Sequence, residues 1–336
     1  MSSLPLITAD DLTTDVDVRW CPGCGNFSIL DQLKRVLAKL GLPREKTVFV
    51  SGVGCAGRTP YYLNTYGFHT IHGRAPAIAT GVKIANPDLD VWVVTGDGDA
   101  LGAGTNHLLH ALRRNVGLKI LLFNNEVFGL TKGQHSPTSR LGTRTKSSPD
   151  GAFEAPLRPL SLALAAEASF VARTLDVDVD HLNLTLRRAA AHKGTAFVEI
   201  YQNCKVFNDG VFDYATDKDT KADSVLDLEH GQPLIFGEDR NRGIRLNGLT
   251  PTVVTLNGKD RVEDLLVHDE TDPLLAMLLS RLTGPDYPEC IGVLRCVSRP
   301  TFEDQLAEQL AAARGSKHPA EILEAALVGD EPWLVA

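Results

Sequence analysis

Residues 91–134 read VWVVTGDGDALGAGTNHLLHALRRNVGLKILLFNNEVFGLTKGQ. The run Val91–Thr95 has the length and β-branched content of a buried strand. It breaks at Gly96-Asp97-Gly98-Asp99. A helical segment follows, with Leu108, Leu109, Ala111 and Leu112 on one side, Arg113 and Arg114 near its end, and Gly117 to close it. A second apolar run, Lys119–Phe123, ends in Asn124-Asn125. Strand, glycine-rich turn, helix and strand make a unit whose strands run parallel, so both turns open on one edge of the sheet.

The residue types at that edge suit an anion and a hard cation. Gly96 and Gly98 admit a ligand close to the backbone, and the following helix offers unpaired N–H groups to a diphosphate. Asp97 supplies a carboxylate oxygen and Asn125 an amide oxygen. With a backbone carbonyl and diphosphate oxygens they complete an octahedral shell for Mg²⁺. The dinucleotide fingerprint is absent because G-D-G-D lacks the third spaced glycine, and no Lys-Ser/Thr pair makes it a P-loop. An ordinary α/β turn with an aspartate cap is the plain alternative. Gly96-Asp97-Gly98, about twenty-five residues, then Asn124-Asn125 resembles the thiamine diphosphate motif. The resemblance implies Mg²⁺ on Asp97, the Asn125 side chain and the Val127 carbonyl, with Gly96, Gly98, Asp99 and Gly129 around the cofactor. It also implies the α/β thiamine-diphosphate-binding fold, a parallel sheet with helices on both faces.

At 336 residues the chain has room for one large α/β domain with an appendage, or for two domains. A net charge of −8 argues against a nucleic-acid footprint, which needs a basic face. The apolar runs are strand-sized, too short to span a membrane. The acidic N-terminus lacks a secretory pattern, so a cytoplasmic location is expected. There the six cysteines are metal ligands or free thiols rather than disulfides. Leu4, Leu6 and Ile7 in the N-terminal arm are candidates for docking.

Cys21 and Cys24 precede a helix marked by Ile29, Leu30, Leu33, Val36, Leu37 and Leu40 and stopped by Gly41 and Pro43. Cys55 and Cys204 follow the strand-like runs Val48–Val53 and Ala196–Ile200. If those strands are parallel neighbours, all four thiols meet at one edge. Four cysteines serve a [4Fe-4S] cluster or a zinc ion, and residue chemistry alone does not separate them. Cys290 and Cys296 read as plain apolar thiols.

Cys21-Pro22-Gly23-Cys24-Gly25, Gly54-Cys55, His72-Gly73-Arg74-Ala75, the thiamine motif, and Gln202-Asn203-Cys204 followed by Phe207-Asn208-Asp209 occur in one order. That order resembles the β subunit of 2-oxoacid:ferredoxin oxidoreductases, most closely the 2-oxoglutarate branch. The similarity runs from about Trp20 to about Gly237 and returns at Val267-His268-Asp269 and Val297–Thr301. It implies a [4Fe-4S] cluster on Cys21, Cys24, Cys55 and Cys204, thiamine diphosphate with Mg²⁺, and oxidation of 2-oxoglutarate with coenzyme A as co-substrate. Ferredoxin is the implied electron acceptor, and reductive carboxylation the reverse reaction. An α subunit in an α₂β₂ assembly would supply the glutamate that activates thiamine. Residues 1–235 would form the cofactor domain and 236–336 an extension packing on that partner.

Phe128–Lys146 is a long polar loop placed to cover the diphosphate and reach the reacting carbon. Pyruvate-specific relatives carry an Asn-Thr-Gly-Gly-Gln-like segment where this chain has Leu130-Thr131-Lys132-Gly133-Gln134. A buried Lys132 ammonium needs an anionic partner, which the distal carboxylate of 2-oxoglutarate supplies. Thr131, Gln134 and Ser136 offer hydrogen bonds. His72 and Arg74, just before the helix from Ala75, belong at or near the pocket, and His69 reads as structural. Alternatives are a pyruvate or broad 2-oxoacid enzyme, a non-redox thiamine enzyme subunit with a zinc site, and a non-catalytic electron-transfer subunit. Thr195–Tyr201 is expected as the last strand of the sheet, Asp213–Glu229 as a surface wrap, and 273–282 and 302–314 as helices.

Overall fold

The computed structural model describes residues 7–258, 260–315 and 317–329. Leu4 and Leu6, expected to dock, lie outside the described residues. The chain runs α1 (Asn26–Leu40), β1 (Thr47–Ser51), β2 (Tyr66–His69), α2 (Ala75–Ala85), β3 (Asp90–Gly96), α3 (Thr105–Arg114) and β4 (Leu118–Asn124). A hairpin of β5 (Val127–Phe128) and β6 (Gln134–His135) precedes α4 (Pro159–Ala165), β7 (Phe170–Leu175), α5 (Val179–Ala191) and β8 (Ala196–Tyr201). Then come α6 (Asp213–Thr216), α7 (Lys218–Ser224), β9 (Val225–Leu228), β10 (Ile235–Phe236), β11 (Arg242–Asn247) and β12 (Thr250–Thr255). The tail adds α8 (Pro273–Leu279), β13 (Glu289–Cys296), α9 (Phe302–Arg314) and α10 (Pro319–Val328).

Eight strands form one sheet in the order β2-β1-β3-β4-β8-β7-β13-β9. The first six are mutually parallel, and β13 runs antiparallel to β7 and parallel to β9. β4 is buried along its whole length, as a central parallel strand covered on both faces must be. On one face lie Leu108, Ile120, Leu160 and Phe197, and on the other Ile29, Leu33, Trp92, Leu121 and Leu186. Phe49 and Trp92 stack across β1 and β3 with ring centroids 5.9 Å apart.

The strands and helices expected around the glycine-rich turn are present. The α3 helix ends on Asn115, in the left-handed region at φ 54°, two residues before Gly117. Asn115 tolerates that conformation because its amide is tied to the Pro300 carbonyl at 3.1 Å and the Ser169 hydroxyl at 2.6 Å. Pro156 keeps the chain out of helical backbone before α4, which begins with Pro159 in its first turn, where a missing N–H costs nothing.

Two expectations about the second half are corrected. Thr195–Tyr201 is not the last strand, because β9 and β13 extend the sheet. Nor is Asp213–Glu229 only a surface wrap, since Val225 packs with Phe212, Tyr201 and Ile291 in a satellite core. Glu289 of β13 also closes a buried ionic network. Arg173 of β7 donates to Glu199 of β8 at 2.8 Å and to Glu289 at 2.7 Å. The Tyr201 and Tyr214 hydroxyls donate to Glu289 at 2.9 Å each. All of Arg173, Glu199 and Glu289 are buried. Among the described residues no helix is long and apolar enough to cross a membrane.

Removing one member of such a network strands the opposite charge without water. Arg173→Leu is therefore expected to cost about 3–5 kcal/mol, read as a lowered denaturation midpoint. A loss under about 1 kcal/mol would show that the network behaves like a surface ion pair.

Candidate functional site

The order β1-β3-β4-β8 sets four loops in a row at the carboxyl edge of the sheet. Cys55 follows β1, Asp97 follows β3, Asn125 follows β4 and Cys204 follows β8. The expected adjacency of β1 and β8 is corrected: β3 and β4 lie between them. The candidate metal ligands therefore stand in the middle, flanked by strands that deliver cysteines.

Asp97 is buried, and burial pushes its carboxyl above the ordinary range against the pull of two hydroxyls. Ser136 donates to Oδ2 at 2.5 Å and Thr138 to the same oxygen at 2.7 Å. Oδ1 receives no side-chain donor among the described residues. Asn125 donates through Nδ2 to Gln202 Oε1 at 2.7 Å, which turns its own Oδ1 the other way, where the Val127 N–H reaches it at only 3.3 Å. A cβ on Gly96 would meet only the Phe123 carbonyl, 3.9 Å away, so the turn there is open. One on Gly98 would fall 2.2 Å from the Phe128 ring, so glycine is required where that ring covers the turn. A carboxylate oxygen without side-chain donors, an amide oxygen on the wall of the same cavity and an open glycine turn fit a Mg²⁺–diphosphate. That cavity is lined by Gly54, Cys55, His72, Gly96, Asp97, Gly98, Asp99, Asn125, Val127, Gly129, Leu130, Thr131 and Gln202, among others.

Asp99 lines the cavity as a brace. Oδ1 accepts from His72 Nδ1 at 2.5 Å, from the Gly73 N–H at 2.7 Å and from the Val53 N–H at 3.1 Å. Oδ2 accepts from Thr95 at 2.6 Å. These bonds leave it as the clasp between the Gly52–Cys55 loop and the His72–Gly73 turn. His72 is in the cavity wall, edge-on to Phe128. Arg74 is not in that wall: it is exposed, and its guanidinium donates to the His72 and Ala103 carbonyls. His69 bonds Tyr61 at 3.0 Å, a structural contact.

Cys21, Cys24, Cys55 and Cys204 line a second cavity together with Arg19, Trp20, Arg58, Asn125, Gly129, Leu130, Lys132, Gln202 and Lys205. The loops are bound to one another by the backbone. Trp20 Nε1 donates to the Cys55 carbonyl at 2.7 Å, and the Gly25 N–H to the Asn203 carbonyl at 3.2 Å. Asp176, after β7, accepts from the Asn203 N–H at 2.9 Å and fills the space where a Gly25 Cβ would be, 1.6 Å from its Oδ2. Burial pushes the Cys24 thiol up to about 12, and the three neighbouring cysteines act in the same direction. Burial also raises Cys55. Among the described residues no three His, Cys, Asp or Glu side chains form a single-ion site. Cys290 is buried in β13, and Cys296 lies 3.9 Å from His192, away from the four.

Both cavities share Cys55, Asn125, Gly129, Leu130 and Gln202. Gly129 forms the wall: a Cβ there would lie 3.5 Å from Cys204 Sγ and 3.7 Å from Cys55 Sγ. The loop from Phe128 begins as the tight β5–β6 hairpin, then brings Ser136 and Thr138 onto Asp97. Thr131 bonds Gln134 at 2.5 Å within the hairpin and lines the first cavity. Lys132, at φ 85°, lines the thiol cavity and is exposed in the chain by itself. Thr138, Asp176 and Trp20 were not singled out from sequence. The hydroxyl run Ser136-Pro137-Thr138-Ser139 was the available signal for Thr138, whereas nothing local marks Asp176.

Residues 52–200 match the family described as thiamine pyrophosphate enzyme, C-terminal TPP binding domain. The 2-oxoglutarate oxidoreductase subunit KorB of Mycobacterium tuberculosis is 49% identical over 329 residues, 97% of this chain and 88% of that one. The β subunit of 2-oxoacid:ferredoxin oxidoreductase 1 of Aeropyrum pernix is 47% identical over 58% of this chain and 62% of its own. A solved structure, 2-oxoglutarate:ferredoxin oxidoreductase from Magnetococcus marinus with 2-oxoglutarate, coenzyme A and succinyl-CoA bound, superposes with a TM-score of 0.78 at 32% identity, covering 98% of both chains.

The wall at Gly129 gives a direct test. A methyl group there makes ordinary contacts with the two sulfurs of the empty chain but takes volume from anything the thiols bind. Gly129→Ala is expected to fold normally, by circular dichroism and thermal melting, and to hold much less of any metal bound by the four thiols, read by elemental analysis of the protein prepared without oxygen. Metal content equal to the wild type would place a thiol-bound group elsewhere.

Proposed function

We propose a function from the premise that this chain belongs to the β subunits of the 2-oxoacid:ferredoxin oxidoreductases. It is the subunit of an enzyme that oxidatively decarboxylates 2-oxoglutarate to succinyl-CoA and carbon dioxide and passes the electrons to ferredoxin. The observation that carries this reading is the wall shared by the two cavities. When bound, thiamine diphosphate supplies the nucleophilic carbon and the electron sink for decarboxylation. Asp97, Asn125 and the Val127 carbonyl would hold the Mg²⁺ that fixes the diphosphate. Phe128, across Gly98, keeps water from that turn.

Cys21, Cys24, Cys55 and Cys204 would hold a [4Fe-4S] cluster, one thiolate to each iron. A tetrahedral zinc draws all four sulfurs to about 2.3 Å of one atom. Thiols spread around a cavity that Gly129 keeps open support the cluster. Arg19, Arg58, Lys132 and Lys205 rim this cavity in a chain of net charge −8. Arg19 and Lys205 are paired with Asp17 and Asp209, and the remaining Arg58 and Lys132 support a small acidic electron carrier, here ferredoxin, as the partner. An α subunit contributes the remaining half of the thiamine site and, in an α₂β₂ assembly, a cover over the exposed hairpin. A cytoplasmic location suits reduced thiols.

The complex co-purified with its α subunit without oxygen is expected to contain thiamine, iron and sulfide, while the isolated chain shows no turnover. Zinc in place of iron would favour a non-redox thiamine enzyme, and absence of thiamine an electron-transfer subunit. Substrate choice has its own test. Lys132 stands two residues from Leu130, which lines both cavities. Covered by the α subunit, its ammonium would pair with the distal carboxylate of 2-oxoglutarate. Lys132→Ala is expected to lower the 2-oxoglutarate/pyruvate ratio of kcat/KM roughly tenfold or more. An unchanged ratio removes Lys132 from selectivity.

A further inference from the structure

Gln202 has every polar group of its amide engaged, and each partner belongs to a different part of the site. Oε1 accepts from Asn125 Nδ2 at 2.7 Å. Nε2 has two hydrogens and two acceptors, the Asn203 carbonyl and Cys24 Sγ, the latter at 3.4 Å. A carbonyl and a sulfur together require the nitrogen on that side, so the orientation of the amide is fixed by its neighbours. Gln202 is buried, and its backbone N–H continues the ladder to the Asn124 carbonyl at 2.9 Å. The side chain therefore cannot move without breaking either the sheet end or both contacts.

We propose that Gln202 is a positioning residue that couples the two sites, so that binding of Mg²⁺–diphosphate at Asn125 strengthens the N–H···S bond to Cys24 and raises the reduction potential of the cluster. This rests on the function proposed above. A cation on Asn125 Oδ1 polarises that amide and makes Nδ2–H a stronger donor. Gln202 Oε1 then accepts a stronger bond, which polarises the second amide in turn and sharpens its donation to sulfur. A hydrogen bond to a cluster thiolate favours the more negative, reduced state. The cluster accepts electrons more readily when the cofactor that produces them is in place. Linkage makes the effect reciprocal: reduction of the cluster tightens cofactor binding by the same factor.

The test uses the complex co-purified with its α subunit. The midpoint potential is measured by electron paramagnetic resonance with and without thiamine diphosphate and Mg²⁺. Loading is expected to make the wild-type midpoint less negative. Gln202→Met, similar in length and unable to make either bond, is expected to have a more negative midpoint that loading no longer moves. A wild-type midpoint indifferent to loading overturns the proposal, as does a shift that persists in Gln202→Met, which would show the ion acting through space. Should Gln202→Met not assemble, Gln202→Asn, too short to reach both Asn125 and Cys24, takes its place, and the wild type tests the coupling from the other side: reduced complex is expected to bind Mg²⁺–thiamine diphosphate roughly fivefold or more tightly than oxidised complex, and equal affinities overturn the coupling. A wild-type complex without a cluster signal fails at the earlier step, the function itself.

Discussion

The site depends on irregular backbone being held immobile where four parallel strands end. Strand ends carry unpaired N–H groups, and loops that bring cysteines and metal ligands together bury some of them. Two buried carboxylates meet this demand in the same way. Asp99 accepts from the Val53 and Gly73 N–H groups and occupies the space above Gly52, where a Cβ would lie 1.9 Å from Oδ2. Asp176 accepts from the Asn203 N–H and occupies the space above Gly25. The first clasp orders the loop leading to Cys55, and the second orders the turn of Cys21 and Cys24 against that of Cys204. A side chain at either glycine would expel the carboxylate, so these glycines serve close approach more than turn geometry.

The same accounting separates three buried aspartates that look alike by type. Asp99 spends both oxygens on four donors, and Asp176 is turned to the backbone beside the thiols. Asp97 has both its hydroxyl donors on one oxygen. Of the three, Asp97 is the one that lines the cavity beside Asn125 with one oxygen free of side-chain donors, and a buried carboxylate there gains from a positive partner. Ser136 and Thr138 therefore aim the carboxylate as well as satisfying it.

Much of this edge was legible in the sequence because its signals are local. Buried strands followed by glycine-rich turns marked the parallel unit, and Gly96-Asp97-Gly98 with Asn124-Asn125 marked the two turns that line one cavity. What was not legible depended on strand order. Adjacency of β1 and β8 is one arrangement that would bring the cysteines together, yet the four thiols line one cavity with β3 and β4 between those strands, because the hairpin from Gly129 and the turn before α1 reach across. The partners of Lys132 and Arg74 likewise depend on which way a loop folds. Arg74 is held by two carbonyls, and Lys132 leaves the cofactor cavity because the hairpin turns at φ 85° and 91° in Lys132 and Gly133. The tail misled for a different reason: the apolar run of β13 is flanked by charged residues and carries the buried Glu289 and Arg295, so its period does not announce a sheet strand.

The Asn124-Asn125 pair shows why the tail matters to chemistry at the edge. Consecutive residues at a strand end face opposite ways. Asn125 turns to Gln202 and, through it, to Cys24. Asn124 turns to the interior, donating to Glu199 at 2.8 Å, and its Oδ1 lies 3.0 Å from the Thr138 hydroxyl, whose single proton goes to the nearer Asp97. Glu199 leads through Arg173 to Glu289 of β13. A strand near the end of the chain is thus joined by hydrogen bonds to Asn124, beside the Asp97 turn, while Asn125 joins that turn to the thiols. Such a network rigidifies only when each member is satisfied, so the strand added by the tail contributes to holding Asn124 as well as to the core.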